Sequence, residues 1–276
     1  MRGDRPVSAL LLARDETRDL GELIPTLAFA REVVVVWDPR GDPATRAAAE
    51  RLGARVFERA FDGFGAQRQF ALERCTQEWV LWIDADERLA PGALERLERE
   101  VLAPGAPAAG CWGVALRRTG YFLGRRIRFC GWRDERVLRL FRRDSARFDD
   151  ALVHERVHFA PASAAGDGGG SGAVRAGTIV RSTATLEHHS YRTRADCEVK
   201  LVRYAEANAE KSLRAGRRAN GFDVALRPPL RFLRQYVLQL GLLDGVAGFQ
   251  LCVNAARQVR LKYALIRAGS RVPAAR

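Results

Sequence analysis

The chain has 276 residues, of which 47% are hydrophobic and 29% charged, a balance that excludes a disordered polypeptide and a multi-span membrane protein and suits one sizeable α/β domain with an appendage. A net charge of +13 and a pI near 10.5 call first for an anionic partner. Only three of the 46 basic residues are lysine (Lys200, Lys211 and Lys262), however, a bias that genomic base composition also produces.

In chain order, residues 7–12 form the first predicted strand. The apolar stretch is short for a signal peptide and runs directly into Arg14-Asp15-Glu16. Further strands are expected at 33–37, 55–57 and 79–83, alternating with helices at 18–30, 44–52 and 66–75. The four consecutive valines from Val33 to Val36 lack polar alternation, as required when helices cover both faces of a parallel sheet. Ligands of such sheets bind beyond the carboxyl ends of the strands, and acids follow the strands there: Asp15 and Glu16, then Asp38 and Asp42, then Asp84-Ala85-Asp86-Glu87.

Residues 110–159 read as strand-rich and irregular, an acceptor-side extension. Residues 161–177 are low-complexity Ala/Gly/Ser and carry no chemistry. A charged helix is expected at 192–218, a break at Pro228-Pro229, and a further helical pattern at 230–268. From residue 192 to the end there are 17 basic and 6 acidic residues, so any electrostatic docking surface belongs to this third of the chain. Residues 237–256 have the length of a bilayer span, but Gln239, Asp244, Gln250 and Asn254 argue against spanning. Arginines interleaved with Phe232, Tyr236, Phe249 and Tyr263 suit an anionic membrane surface instead.

Asp84 and Asp86 stand at i and i+2 beyond a buried run, a spacing that aims two carboxylates to one side of an extended segment. Hard divalent cations such as Mg2+ or Mn2+ take such oxygen ligands and can bridge a nucleotide diphosphate. Arg68 and Arg139 are candidates for phosphate contacts, since guanidinium matches phosphate oxygens in a two-pronged way. Asp15, Glu16, Asp38, Asp42, Arg68 and Asp84 are the candidate donor-binding residues, and Asp84 and Asp86 the candidate metal ligands, with His188 or His189 as the candidate for a third. The five cysteines lack C-x-x-C spacing, which argues against zinc and against a disulfide framework.

Residues 63–69 (GFGAQRQ), 79–87 (WVLWIDADE), 131–134 (GWRD) and 139–143 (RLFRR) carry a resemblance that continues through 153–155 (VHE), 188–191 (HHSY), Lys200 with Tyr204, 232–236 (FLRQY), 241–245 (GLLDG) and Lys262-Tyr263. In this order they resemble the family-2 glycosyltransferases, within them the lipopolysaccharide core glucosyltransferase-like branch. The resemblance implies a GT-A fold: a Rossmann-like, mostly parallel sheet flanked by helices, here with a helical C-terminal extension. It also implies a nucleotide-sugar donor, a glycan or lipid-linked acceptor, a divalent metal and inversion at the anomeric carbon, with His188 as a third metal ligand.

Inversion requires a general base near the acceptor hydroxyl. Glu155 is the first candidate because it follows an expected strand at 147–153 in the region where related enzymes position theirs, and Asp134 is the second. The chain departs from the family where Asp15-Glu16 replaces Asn-Glu, and where residues 37–42 (WDPRGD) replace an aspartate- and serine-rich stretch. If Trp37 occupies the position of the base-reading aspartate, Asp38 and Asp42 share that role.

The expected organisation is a catalytic domain at 1–191, with a donor half at about 1–100 and an acceptor half at about 101–191, followed by a basic helical extension at 192–276. The expected location is cytoplasmic, with peripheral attachment at the inner face of the membrane. Competing readings are a nucleic-acid-binding protein, which the strand-end acids and the lack of a recognised motif disfavour, and a catalytically altered scaffold that binds nucleotide diphosphate.

Overall fold

Long apolar runs bounded by helix-forming segments fold into an alternating α/β chain. The computed structural model describes residues 3–149, 157–159 and 178–269. In order the elements are β1 (Arg5–Ala13), α1 (Thr17–Thr26), β2 (Ala30–Trp37), α2 (Pro43–Arg51), β3 (Arg55–Glu58), α3 (Phe64–Leu72), β4 (Trp79–Trp82), β5 (Glu87–Leu89) and α4 (Ala93–Leu97). There follow β6 (Gly113–Phe122), β7 (Arg125–Arg126), β8 (Arg136–Arg142), β9 (Ala146–Phe148), β10 (Val157–Phe159), β11 (Ile179–Tyr191), α5 (Arg194–Arg214), α6 (Gly221–Leu233) and α7 (Gly245–Gly269). The chain divides into two compact units, Met1–Arg118 with Arg136–His188, and Thr119–Glu135 with His189–Arg276.

The first unit is built on a sheet in the order β3-β2-β1-β4-β8-β6-β11-β5. Strands β3, β2, β1 and β4 are parallel, with Leu11 opposite Val35 and Leu10 opposite Trp82. Strand β8 joins β4 antiparallel, placing Leu140 opposite Leu81, and β5 joins β11 antiparallel. Alternate residues of the buried strands feed two cores. On one face Leu11, Val33, Val35, Leu81 and Ile83 pack with Leu20, Leu23 and Ile24 of α1 and Leu97 of α4. On the other, Leu10, Val34, Val36 and Val80 pack with Ala71 and Leu72 of α3, Phe141 and Phe148. This is the α/β architecture of the GT-A class, its parallel half sandwiched between helices as the unbroken valine run requires. Helix α1 is shorter than expected, because Ala30 is already paired with Arg5 in the β1–β2 ladder.

The second unit holds the three long C-terminal segments. Capping boxes start two of them: Thr193 with Asp196 for α5, and Asn220 with Asp223 for α6. Its core contains Phe122, Ile127, Cys130, Cys197, Leu251 and Cys252. The expected break at Pro228-Pro229 does not occur, for α6 runs through both prolines. A proline fixes φ near the helical value, so it removes a hydrogen bond without forbidding the helical path, and Pro228 is buried there. The chain turns later, through a wide turn at Arg234–Leu238, a left-handed Leu240 (φ 56°) and a tight turn at Gly241–Asp244. The axis changes by 75° between Gly221–Leu238 and Gly241–Gly269, so residues 237–256 are not one helix. Gly241 is required at this corner, since a Cβ would lie 2.8 Å from Cys130 Sγ and 2.9 Å from the Gln235 carbonyl oxygen.

Candidate functional site

The site in the first unit is assembled by strand register. Strand β4 ends at Trp82, and Asp84 and Asp86 follow before β5 begins at Glu87. Because β11 pairs His188 with Glu87, a residue more than a hundred positions away in the chain arrives beside the acids. His188 Nε2 lies 3.4 Å from Asp86 Oδ1, and both side chains remain partly exposed. The β4–β8 register, carried one residue beyond Leu81 and Leu140, brings Arg139 to Trp82, whose ring it faces at 4.3 Å. Arg68 arrives from the buried face of α3 and faces the same ring at 4.1 Å.

These cations are held by carboxylates. Arg139 Nη2 donates to Asp84 Oδ2 and to Glu87 Oε1, both at 2.7 Å, and Arg68 Nη2 donates to Asp84 Oδ1 at 3.0 Å. Trp82 Nε1 also donates to Asp84 Oδ1, at 3.3 Å, and the Asp84 amide donates to Glu87 Oε2 at 3.1 Å. Burial pushes the Asp84 carboxyl up, but Arg139 and Arg68 outweigh it and hold the group below its ordinary value of 3.8. Burial pushes the Arg68 guanidinium down to about 10, against the pull of Asp84. For Arg139 burial acts in the same direction, yet Glu87 and Asp84 together raise it. Asp84 is therefore a clamped carboxylate, whereas Asp86 faces the imidazole.

The other predicted residues have different surroundings. Asp38 is buried and takes a two-pronged contact from Arg40, Nε to Oδ1 at 2.9 Å and Nη2 to Oδ2 at 2.8 Å; the Arg40 hydrogen bonds lower its pKa against the effect of burial. Asp42 caps α2 by accepting from the Ala44 amide at 2.9 Å, and its own amide donates to Asp15 Oδ1 at 2.8 Å. Glu16 Oε2 accepts from the amides of Arg14 and Asp15. Trp37 is buried and donates its indole N–H to the Arg14 carbonyl at 3.2 Å. Asp134 belongs to the second unit, on a left-handed backbone (φ 55°), with a side chain 62% exposed and 3.5 Å from Arg133 Nε. Glu155 and the stretch 161–177 lie outside the described residues.

With this geometry in place, residues 23–161 match the family model of glycosyl transferase family 2. The chain belongs to that family. This glycosyltransferase is 30% identical over 249 residues, 88% of its own length and 85% of the relative's, to the lipopolysaccharide core biosynthesis glycosyltransferase LpsC of Rhizobium meliloti. It is 33% identical over 92 residues, about a third of each chain, to an uncharacterized glycosyltransferase of Rickettsia conorii. Among solved structures it is similar to a 4-diphosphocytidyl-2C-methyl-D-erythritol synthase, at 16% identity and a TM-score of 0.36, over 51% of this chain and 76% of that one.

Arg118 is the member of the cluster to which the sequence pattern assigns no role, and Glu87 enters that pattern only as the last of the strand-end acids. Glu87 is fully buried, accepts from Arg139 and lies 3.7 Å from Arg118 Nη1. The signal for Glu87 is its place at the end of the acid run. Its arginine partners become visible only once β6 and β8 are in register.

Proposed function

We propose that this glycosyltransferase moves a hexosyl group, with inversion, from a nucleotide-sugar donor to a glycan or lipid-linked acceptor in lipopolysaccharide core or related cell-envelope polysaccharide synthesis. The observation that carries the reading is the pairing of Asp86 with His188 beside a clamped Asp84 at the carboxyl end of β4. The name and the extent of the LpsC match support the envelope context.

A divalent cation, Mg2+ or Mn2+, belongs to this reading, and the donor chemistry fits it. Asp86 and His188 would supply one oxygen and one nitrogen ligand, and among the described residues no group of three His, Cys, Asp or Glu side chains could hold a metal ion. A hard cation of this kind commonly takes one or two protein ligands and completes its shell with substrate phosphate and water. When bound, it neutralises charge on the departing diphosphate. Asp84, fixed by Arg68 and Arg139, is then a donor-positioning carboxylate rather than a freely turning ligand. Asp15, Glu16, Asp38 and Asp42 line the neighbouring strand ends as donor-binding candidates, with Asp38 and Asp42 standing in for the base-reading aspartate.

In a single displacement the acceptor oxygen bonds to the anomeric carbon as the bond to the donor phosphate oxygen breaks. The acceptor proton passes to a carboxylate, for which Glu155 is the assignment and Asp134 the second choice. Cytoplasmic location with peripheral attachment to an anionic membrane completes the reading. It is supported by five free, buried cysteines and by a basic C-terminal third.

A screen of UDP-, GDP-, ADP- and dTDP-sugars for thermal stabilisation tests the reading. One donor class is expected to raise the midpoint in Mn2+ and not in chelator, through a stabilisation of about 2.7 kcal/mol at a hundredfold excess over its Kd. Stabilisation by none of them, or equal stabilisation in chelator, contradicts it. Binding without transfer to any acceptor extract would favour the altered scaffold.

A further inference from the structure

Among the described residues, most of the exposed large hydrophobic side chains are concentrated in one stretch of the second unit. Phe222, Leu226, Leu230, Leu233, Val237, Leu238, Leu240, Leu242, Leu243, Val246 and Phe249 are each at least 43% exposed. The first five recur at intervals of four, four, three and four residues, which places them on one face of a helical segment. Exposed apolar side chains clustered on one face mark an interaction surface, unlike the scattered single ones that any protein shows to water.

Gln235 and the two acids of the same segment are engaged within the protein. Gln235 is buried and its side-chain amide donates to the Cys130 carbonyl at 2.9 Å. Asp244 accepts from the amides of Arg128 and Phe129, both at 2.9 Å. Asp223 caps α6 and pairs with Arg227. Both acids between residues 214 and 249 therefore have local partners. The basic residues there number six, and Arg217, Arg218, Arg231 and Arg234 form no ion pair with an acid among the described residues. Arg218 and Arg234 are exposed.

We propose that the apolar face of α6 and of the turn into α7 docks onto an anionic lipid bilayer, with its leucines and phenylalanines at the acyl boundary and its arginines against headgroup phosphates. The proposal deepens the peripheral attachment included in the reading above, and its structural basis lies in the second unit alone. Charge selects the occupant. An identical second copy would bring arginines against arginines, whereas lipid phosphates complement them. The segment lies on the surface rather than crossing. No single described helix is long and apolar enough to span, and the two helical stretches that together have the length meet at 75°.

The test is sedimentation of the full chain with phosphatidylcholine vesicles, with and without about 30% phosphatidylglycerol, at low and high salt. The parent chain is expected to pellet with the anionic vesicles at low salt, and partly to dissociate as salt screens the arginines. The variant L226E/L230E/L233E changes only exposed positions and is expected to bind at least about tenfold more weakly. R218Q/R234Q should lose the preference for anionic vesicles while keeping its fold. Unchanged Mn2+-dependent stabilisation by nucleotide sugars in both variants would separate a fault in the docking surface from a fault in the transferase reading. The proposal is overturned if the parent stays in the supernatant or if the glutamate variant binds as the parent does. It is equally overturned if the parent is a lipid-free oligomer that this variant converts to monomer.

Discussion

Strands β2 and β4 both end in aspartates close behind buried apolar runs, yet the two ends use their carboxylates differently. After β2, Asp38 is held by Arg40 two residues on, and Asp42 caps the next helix. These side-chain contacts are local in sequence, as helix caps and turn contacts are. After β4, Asp84 and Glu87 are held by Arg68 and Arg139, which distant elements supply, while Asp86 meets His188 through the β5–β11 register. The β2 carboxylates are fixed by their own turn, whereas the β4 carboxylates are fixed only once distant elements come into register.

The largest effect on stability is expected from Arg139→Met. This substitution leaves Glu87 fully buried without its close guanidinium and Asp84 with Arg68 and the Trp82 indole N–H, and removing one partner of a buried pair costs about 3–5 kcal/mol. Chemical denaturation at neutral pH measures it. The pH dependence has a defined sign. The carboxyl of Asp84 lies below 3.8 in the folded chain, so its contribution is complete above that value and lost as pH falls through its lowered pKa. The deficit of the variant should therefore shrink in acid. A variant as stable as its parent would mean that the guanidinium does not compensate the buried acids.

A smaller effect belongs to the β2 end. Asp42→Ala removes a helix cap and should cost about 1 kcal/mol, readable by the same denaturation. If Asp42→Ala proved as damaging as Arg139→Met, the distinction between locally and distantly fixed carboxylates would fail.

How much of this was legible in the sequence follows the same division. The four parallel strands were readable because Val33 to Val36 and residues 79–83 are apolar without alternation, and the acids were readable because they follow those runs. Asp86 and His188 were both named, the latter through the family resemblance. The clamp on Asp84 was hidden from the sequence, because Arg139 reaches it through an antiparallel register between β4 and β8 that periodicity alone does not fix. Proline signals misplaced the helix break: Pro228 and Pro229 lie inside α6, and the turn comes at Leu240, whose left-handed backbone has no sequence marker of the kind glycine provides. The apolar face of α6 was present in the spacing of Phe222, Leu226, Leu230 and Leu233, but only the fold shows that this face is turned outward.

The central claim is that the Asp86–His188 pair is where metal and donor meet, and Asp86→Ala measured by sugar transfer over a Mn2+ titration tests it most directly. The account predicts that transfer and metal-dependent donor binding are lost while the ligand-free thermal midpoint stays with that of the parent, because Asp86 is outside the Arg68–Arg139 clamp on Asp84. Full turnover by the variant, or undiminished turnover of the parent in excess chelator, would contradict it.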